Sequence, residues 1–172
     1  RSEEVAAIRP ALEPFYQILR EIETPGALDG GDVCEVGDHV FIGISDRTNE
    51  AGARQLAVFL AEEGYTTVTV DIRGIPGILH LKSGLAALDD WRLAVVPELI
   101  AHPAFRSHRI VAVAPEESYA ANCVNVNDRI LVASGYPGFE GTLRGLEYDL
   151  VPLDMSEFRK MDGGLSCLSL RF

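Results

Sequence analysis

The sequence predicts an α/β protein assembled from repeated ββαβ units. Three observations carry this. A hairpin, a helix and a strand follow one another in the same order several times; the copies recur roughly every 45 residues; and turn chemistry separates the elements in each copy.

The first unit is the clearest. DVCEV at 32–36, the Gly37-Asp38 turn and HVFIGI at 39–44 read as a hairpin, because alternation and turn residues agree. A helix follows, with Thr48 or Asn49 as its cap, Leu56, Phe59 and Leu60 on its apolar face and Gly64 at its end. The β-branched run TTVTVDI at 66–72 closes the unit. The second unit reads as a strand within ILHLKSGLAALDD, the strand RLAVV at 92–96, a short helix over 98–102 between Pro97 and Pro103, and HRIVAVA at 108–114. The third runs through NCVNVN at 122–127, DRILVAS at 128–134, a helix over 140–147 and DLVPLD at 149–154.

Half-units flank these three. SEEVAAIRPALEP reads as a helix limited by Pro10 and Pro14, and QILREIE at 17–23 as a strand, together the second half of a unit. CLSLRF at 167–172 reads as the first strand of another. The chain is therefore expected to begin and end in mid-repeat, as one partial domain over 1–172 with about three and a half repeats. A ring of such units would need a preceding N-terminal piece to complete the fold. Residue 1 is Arg rather than Met, which points to a fragment or a processed chain.

At 172 residues and 47% hydrophobic, the chain has enough apolar material for one sizeable core. Its apolar stretches, such as LAVFLA at 56–61, are too short to span a bilayer, so no membrane association and a cytoplasmic location are expected. Twenty-six acidic against fifteen basic residues give a net charge of −11. That field disfavours nucleic acid and favours a small cationic ligand. The three cysteines are odd in number and widely spaced, so they fit neither a disulfide framework nor paired zinc knuckles. Homo-oligomerisation is left open.

Cys167 stands out among the thiols. Gly163, Gly164 and Ser166 precede it, a poor setting for a packing residue and a good one for a nucleophile that needs access. Cys34 and Cys123 lie inside strand patterns and read as small core hydrophobes. A thiol nucleophile needs a proton-transfer partner, and four histidines are available: His39, His80, His102 and His108. His80, just ahead of a Ser-Gly at the first strand of the second unit, occupies the repeat position of Asp32 in the first and Cys167 in the last. Equivalent positions of a ring converge on its axis. The LDGGD stretch at 28–32 places two carboxylates around paired glycines at another strand entrance, where an ordinary Asp-Gly turn is an equal reading. Arg47 opens a helix, where a cation is misplaced unless a ligand needs it, and a solvated surface Arg is its plain alternative.

Taken together, LDGGDV, SDRTNEAGARQ, LHLKSGLA, EESYAANC, ASGYPG and RKMDGGLSCLSLRF, in that order over nearly the whole chain, resemble the guanidino-group-modifying enzymes, most closely the dimethylarginine dimethylaminohydrolases. The resemblance implies a five-bladed α/β propeller (pentein) of ββαβ units, here without the family's N-terminal part. It implies Cys167 as nucleophile, His80 as general acid and base, Asp29 as the carboxylate that orients His80, Arg47 as the binder of the substrate α-carboxylate, and Met161 and Asp162 as residues lining the substrate site. The implied reaction converts the methylated guanidino group of dimethylarginine or monomethylarginine to citrulline and an alkylamine through a covalent thiouronium intermediate, without metal or organic cofactor. Arginine deiminase and amidinotransferase activities are the alternatives within the fold, and a non-catalytic binding propeller is the alternative from another class.

Overall fold

The computed structural model describes residues 2–168. Three sheets repeat one topology. In the first, β1 (Val33–Val36) pairs antiparallel with β2 (His39–Ile44), which pairs parallel with β3 (Thr66–Asp71). The second comprises β4 (Leu85–Ala87), β5 (Arg92–Val95) and β6 (Arg109–Ala112) in the same arrangement. The third comprises β7 (Val124–Val126), β8 (Arg129–Ala133) and β9 (Asp149–Leu153). Each parallel pair requires a crossover, because a tight turn cannot join strands that run the same way. The crossover helices are α2 (Glu50–Glu62), α4 (Pro97–Ile100) and α5 (Pro137–Gly145).

The middle strand of each unit is the most buried. Phe41, Ile42, Leu93, Ala94, Val95, Ile130 and Val132 are all fully or almost fully shielded from water. They have ladder partners on both sides, and their side chains pack into the hydrophobic clusters on the sheet faces. Helix α2 is capped by Asn49, whose Oδ1 accepts the Gly52 N–H at 2.8 Å. Leu56 and Leu60 pack with Val40, Ile42 and Ile44 as the periodicity predicts, whereas Phe59 is covered by the Arg20 guanidinium, 5.2 Å from its ring centre. The innermost strands β1 and β4 touch, as do β4 and β7, and they line a cavity of about 840 Å³ with Cys34, Leu85, Asn125 and Ser166 on its wall.

Several local expectations are corrected. Helix α1 (Ser2–Leu12) runs through Pro10 instead of stopping there. Residues 17–23 form no strand, because no described strand offers them a ladder; the Gln55 side chain meets the Glu23 backbone instead, accepting its N–H and donating to its C=O, both at 2.8 Å. The strand expected within ILHLKSGLAALDD begins only at Leu85, since α3 (Leu81–Gly84) occupies the residues before it. The helix expected over 98–102 is α4, followed by a 3₁₀ turn at Pro103–Phe105 that starts at a proline unable to continue α4's bonding. The one expected over 140–147 starts earlier, with Pro137 at its first position, where a missing N–H costs nothing. Of the strand read over 167–172, Cys167 and Leu168 lie in a 3₁₀ turn (Leu165–Leu168), and the remainder lies outside the described residues. No helix among the described residues is long and apolar enough to cross a membrane.

Candidate functional site

The loop before β1 tightens into a 3₁₀ turn (Gly30–Asp32), with Asp29 at its N-cap. Asp29 Oδ1 accepts the Gly31 N–H at 2.9 Å, and the Asp29 N–H donates to Thr48 Oγ1 at 3.0 Å. This turn runs against His80. A Cβ on Gly31 would lie 2.8 Å from His80 Cγ and Cδ2, closer than real contacts allow, so this glycine is required by close approach.

His80 is the N-cap of α3, just ahead of β4, and its backbone N–H donates to Ser83 Oγ at 3.3 Å. Its structural counterpart in the first unit is therefore Asp29, also an N-cap just ahead of the inner strand, rather than Asp32 as the sequence alignment of repeats suggested. The difference arises because a short helical turn precedes each inner strand, which strand alternation alone does not reveal. His80 Nε2 lies 3.5 Å from Asp29 Oδ2, and both side chains are largely buried.

Arg47 sits in a turn held by Ser45, whose Oγ accepts the N–H groups of Arg47 at 3.0 Å and Thr48 at 3.1 Å. Its half-exposed guanidinium turns inward, with Nη1 3.3 Å from His80 Nε2 and 3.9 Å from Asp29 Oδ2. Arg47 carries only donors, so Nε2 is the acceptor in this contact, and the same nitrogen also lies beside the Asp29 carboxylate.

Cys167 is exposed and sits in the 3₁₀ turn, its N–H donating to the Gly164 C=O at 3.1 Å. Two side chains from one segment (Pro115–Ala121 and the residue after it) hold this loop. The Tyr119 hydroxyl donates to the Gly163 C=O at 2.6 Å, and Asn122 Oδ1 accepts the Ser166 N–H at 2.9 Å. A Cβ on Gly164 would meet Asn122 Cγ and Nδ2 at 2.6 Å. The Arg159 guanidinium covers the Tyr119 ring, 5.0 Å from its centre. The same Pro115–Ala121 segment packs against α3, which links the thiol loop to the element that His80 caps. Met161 is almost wholly exposed, and Asp162 adopts a left-handed φ of 56° beside it.

The other candidates are structural. Cys34 and Cys123 are buried, and desolvation pushes the Cys123 thiol up to about 12, far from a nucleophile's range. His39 pairs with Asp38 at 2.7 Å and meets His108 edge-on, while His102 lies against Phe105. The sequence reading missed Asp32 as a buried anchor and Tyr119 and Asn122 as supports; the last two lie in EESYAANC, where nothing in the local pattern points to the cysteine loop. Among the described residues, no group of three or more His, Cys, Asp or Glu is arranged to hold a metal ion.

The chain is similar to known proteins in both sequence and fold. The sequence matches the family model described as arginine deiminase over residues 9–134. It is 41% identical to N(G),N(G)-dimethylarginine dimethylaminohydrolase of Pseudomonas aeruginosa over 100% of this chain and 67% of that protein. The protein of the same name from Streptomyces coelicolor is 34% identical, over 99% of this chain and 64% of its own length. The solved structure of a mutant of the Pseudomonas aeruginosa enzyme complexed with citrulline superposes with a TM-score of 0.92 at 40% identity, covering 98% of this chain and 66% of that one. The chain thus spans about two thirds of the length of these two relatives.

Proposed function

The chain belongs to the arginine deiminase family and groups there with the dimethylarginine dimethylaminohydrolases, and we propose on that footing that it hydrolyses the methylated guanidino group of dimethylarginine and monomethylarginine. The observation that carries this reading is the convergence of Asp29, Arg47 and His80 within 3.9 Å of one another, from two different units. A module that only binds a partner has no need of that arrangement together with an accessible thiol.

Cys167 is assigned as nucleophile. Its thiolate attacks the guanidinium carbon, forming a C–S bond and a tetrahedral adduct whose electrons return to expel the substituted nitrogen. His80 gives that nitrogen its proton, so dimethylamine or methylamine leaves and an S-linked thiouronium remains. Water then adds to the same carbon as His80 takes its proton; the C–S bond breaks, the thiolate is regenerated and citrulline is released. Asp29 stabilises the imidazolium between these steps. Arg47 is assigned to the substrate α-carboxylate, for which its half-exposed fork is suited. Met161 and Asp162 line the entrance next to the thiol loop. The reaction as written uses this chain's own acid, base and nucleophile throughout.

The fold reading that accompanies this is a five-bladed propeller in a single domain. Three of its units are those described here. The test is an assay of the full-length protein for citrulline and amine release from dimethylarginine and from arginine, with a Cys167→Ser variant alongside. Release from dimethylarginine in preference to arginine, reduced about 10⁴-fold or more in the variant, is expected. Equal or faster turnover of arginine overturns the substrate assignment, and undiminished activity in the variant overturns the mechanism.

A further inference from the structure

Asp32 is fully buried, and the reaction above gives it no part. Removing a carboxylate from water is costly unless donors fill its lone pairs. Here Oδ2 accepts the hydroxyl protons of Ser45 and Thr48, both at 2.7 Å, and Oδ1 accepts the Leu81 N–H at 3.0 Å. Each donor is tied to one site residue. Thr48 Oγ1 accepts the Asp29 N–H, Ser45 Oγ accepts the Arg47 N–H, and Leu81 directly follows His80.

We propose that Asp32 is the positioning residue of the site: one buried carboxylate sets the backbones of Asp29, Arg47 and His80 together, through two hydroxyl relays and one direct amide bond. What those three residues do rests on the function proposed above; how they are held does not.

The directions of these bonds leave little freedom. Ser45 Oγ receives the Arg47 and Thr48 N–H groups on its two lone pairs, so its proton must be donated, and Asp32 is the acceptor. An amide cannot take the carboxylate's place. If Asn put its oxygen toward the hydroxyls, its NH₂ would face the Leu81 N–H; if it turned over, its NH₂ would face a Ser45 oxygen with no lone pair left. Either orientation loosens one of the three segments.

The experiment uses the full-length protein with Asp32→Asn, Ser45→Ala, Thr48→Val and Thr48→Ser. Asp32→Asn is expected to lower kcat by roughly 10–100-fold, the usual effect of removing a group that orients a reacting one. Thr48→Val keeps the shape and lowers kcat several-fold with KM held, because only the Asp29 relay is cut. Thr48→Ser restores near-normal kcat, and Ser45→Ala raises KM, because it frees the Arg47 turn. The His80 ring titration, followed by NMR in folded protein, moves in Thr48→Val and Asp32→Asn but not in Thr48→Ser. A merely structural role predicts less folded protein with unchanged kcat, KM and His80 titration per folded molecule, and that result overturns the proposal. So does Thr48→Ser behaving like Thr48→Val. Should Asp32→Asn fail to fold, the two Thr48 variants decide the matter. Should the wild-type protein release no citrulline, the functional reading fails alone, and the NMR titration still decides the role of Asp32.

Discussion

The imidazole and carboxylate of the site are held by a buried charge, whereas the thiol is held by neutral groups. Asp32 lies wholly out of water and ties its own loop to two segments distant in sequence, the Ser45–Thr48 turn and Leu81. The cysteine loop depends on one phenol and one amide oxygen, from Tyr119 and Asn122, and its cysteine is exposed. Hydrogen bonds to an ionised acceptor are roughly twice as strong as those between neutral groups. The half that must hold a proton in register is therefore built stiffly, and the half that must admit a substrate is built with a lighter grip. Both halves share one device, a glycine pressed against a side chain of a neighbouring unit: Gly31 on His80 and Gly164 on Asn122.

The sharpest way to break this comparison is to fill those two contacts. Gly31→Ala is expected to push the His80 ring aside and lower kcat about 100-fold, since a displacement of about 1 Å at a reacting group has that order of effect. Gly164→Ala is expected to move the lighter loop with less loss, because that loop is held by neutral hydrogen bonds rather than by bonds to a carboxylate. Steady-state kinetics of the two variants check this; a greater loss of kcat in Gly164→Ala would reverse the assignment of stiff and soft halves.

A smaller effect separates the grips themselves. Tyr119→Phe removes the hydroxyl from the Gly163 carbonyl and is expected to cost about 1 kcal/mol of stability, the usual net worth of such a bond. Its kcat should fall several-fold through the loosened loop, with the His80 titration unchanged. Denaturant melts and kinetics together measure both, and a shifted His80 titration would show that the two halves are coupled.

The smallest expected effect lies outside both halves. His108 sits below its ordinary value of 6.5, chiefly through burial, then through His39, with Asp38 opposing. A base lowered in the native state binds protons more readily when unfolded, so its penalty is absent above that ordinary value and grows as pH falls from it toward the native one. Denaturation midpoints should therefore decline over that window, and His108→Phe should flatten the decline while leaving activity per folded molecule unchanged. An identical pH slope in the variant would remove His108 as the source.

Much of this was legible in the chain because it is local. The hairpin over 32–44 and the crossover α2 follow from alternation, a Gly-Asp turn and an Asn cap, all of which act within a few residues. The strand expected over 17–23 failed because extended backbone becomes a strand only beside a partner, and no local pattern supplies one. His80, Asp29 and Arg47 were singled out by their places around glycines and element starts, but their mutual distances were not readable. Asp32 looked like a second carboxylate of an Asp-Gly turn, and its true setting depends on Ser45, Thr48 and Leu81, far along the sequence.

By itself, then, the sequence determined the repeated ββαβ order, the split between packing cysteines and an accessible one, and the residue types available for chemistry, since period, turn residues and side-chain identity are local properties. The tertiary structure alone decided that His80 matches Asp29 rather than Asp32, that Gly31 and Gly164 are there to let other side chains approach, and that one buried carboxylate joins three loops. Those outcomes depend on which segments meet across units, and a meeting of distant segments leaves no mark in the spacing of either.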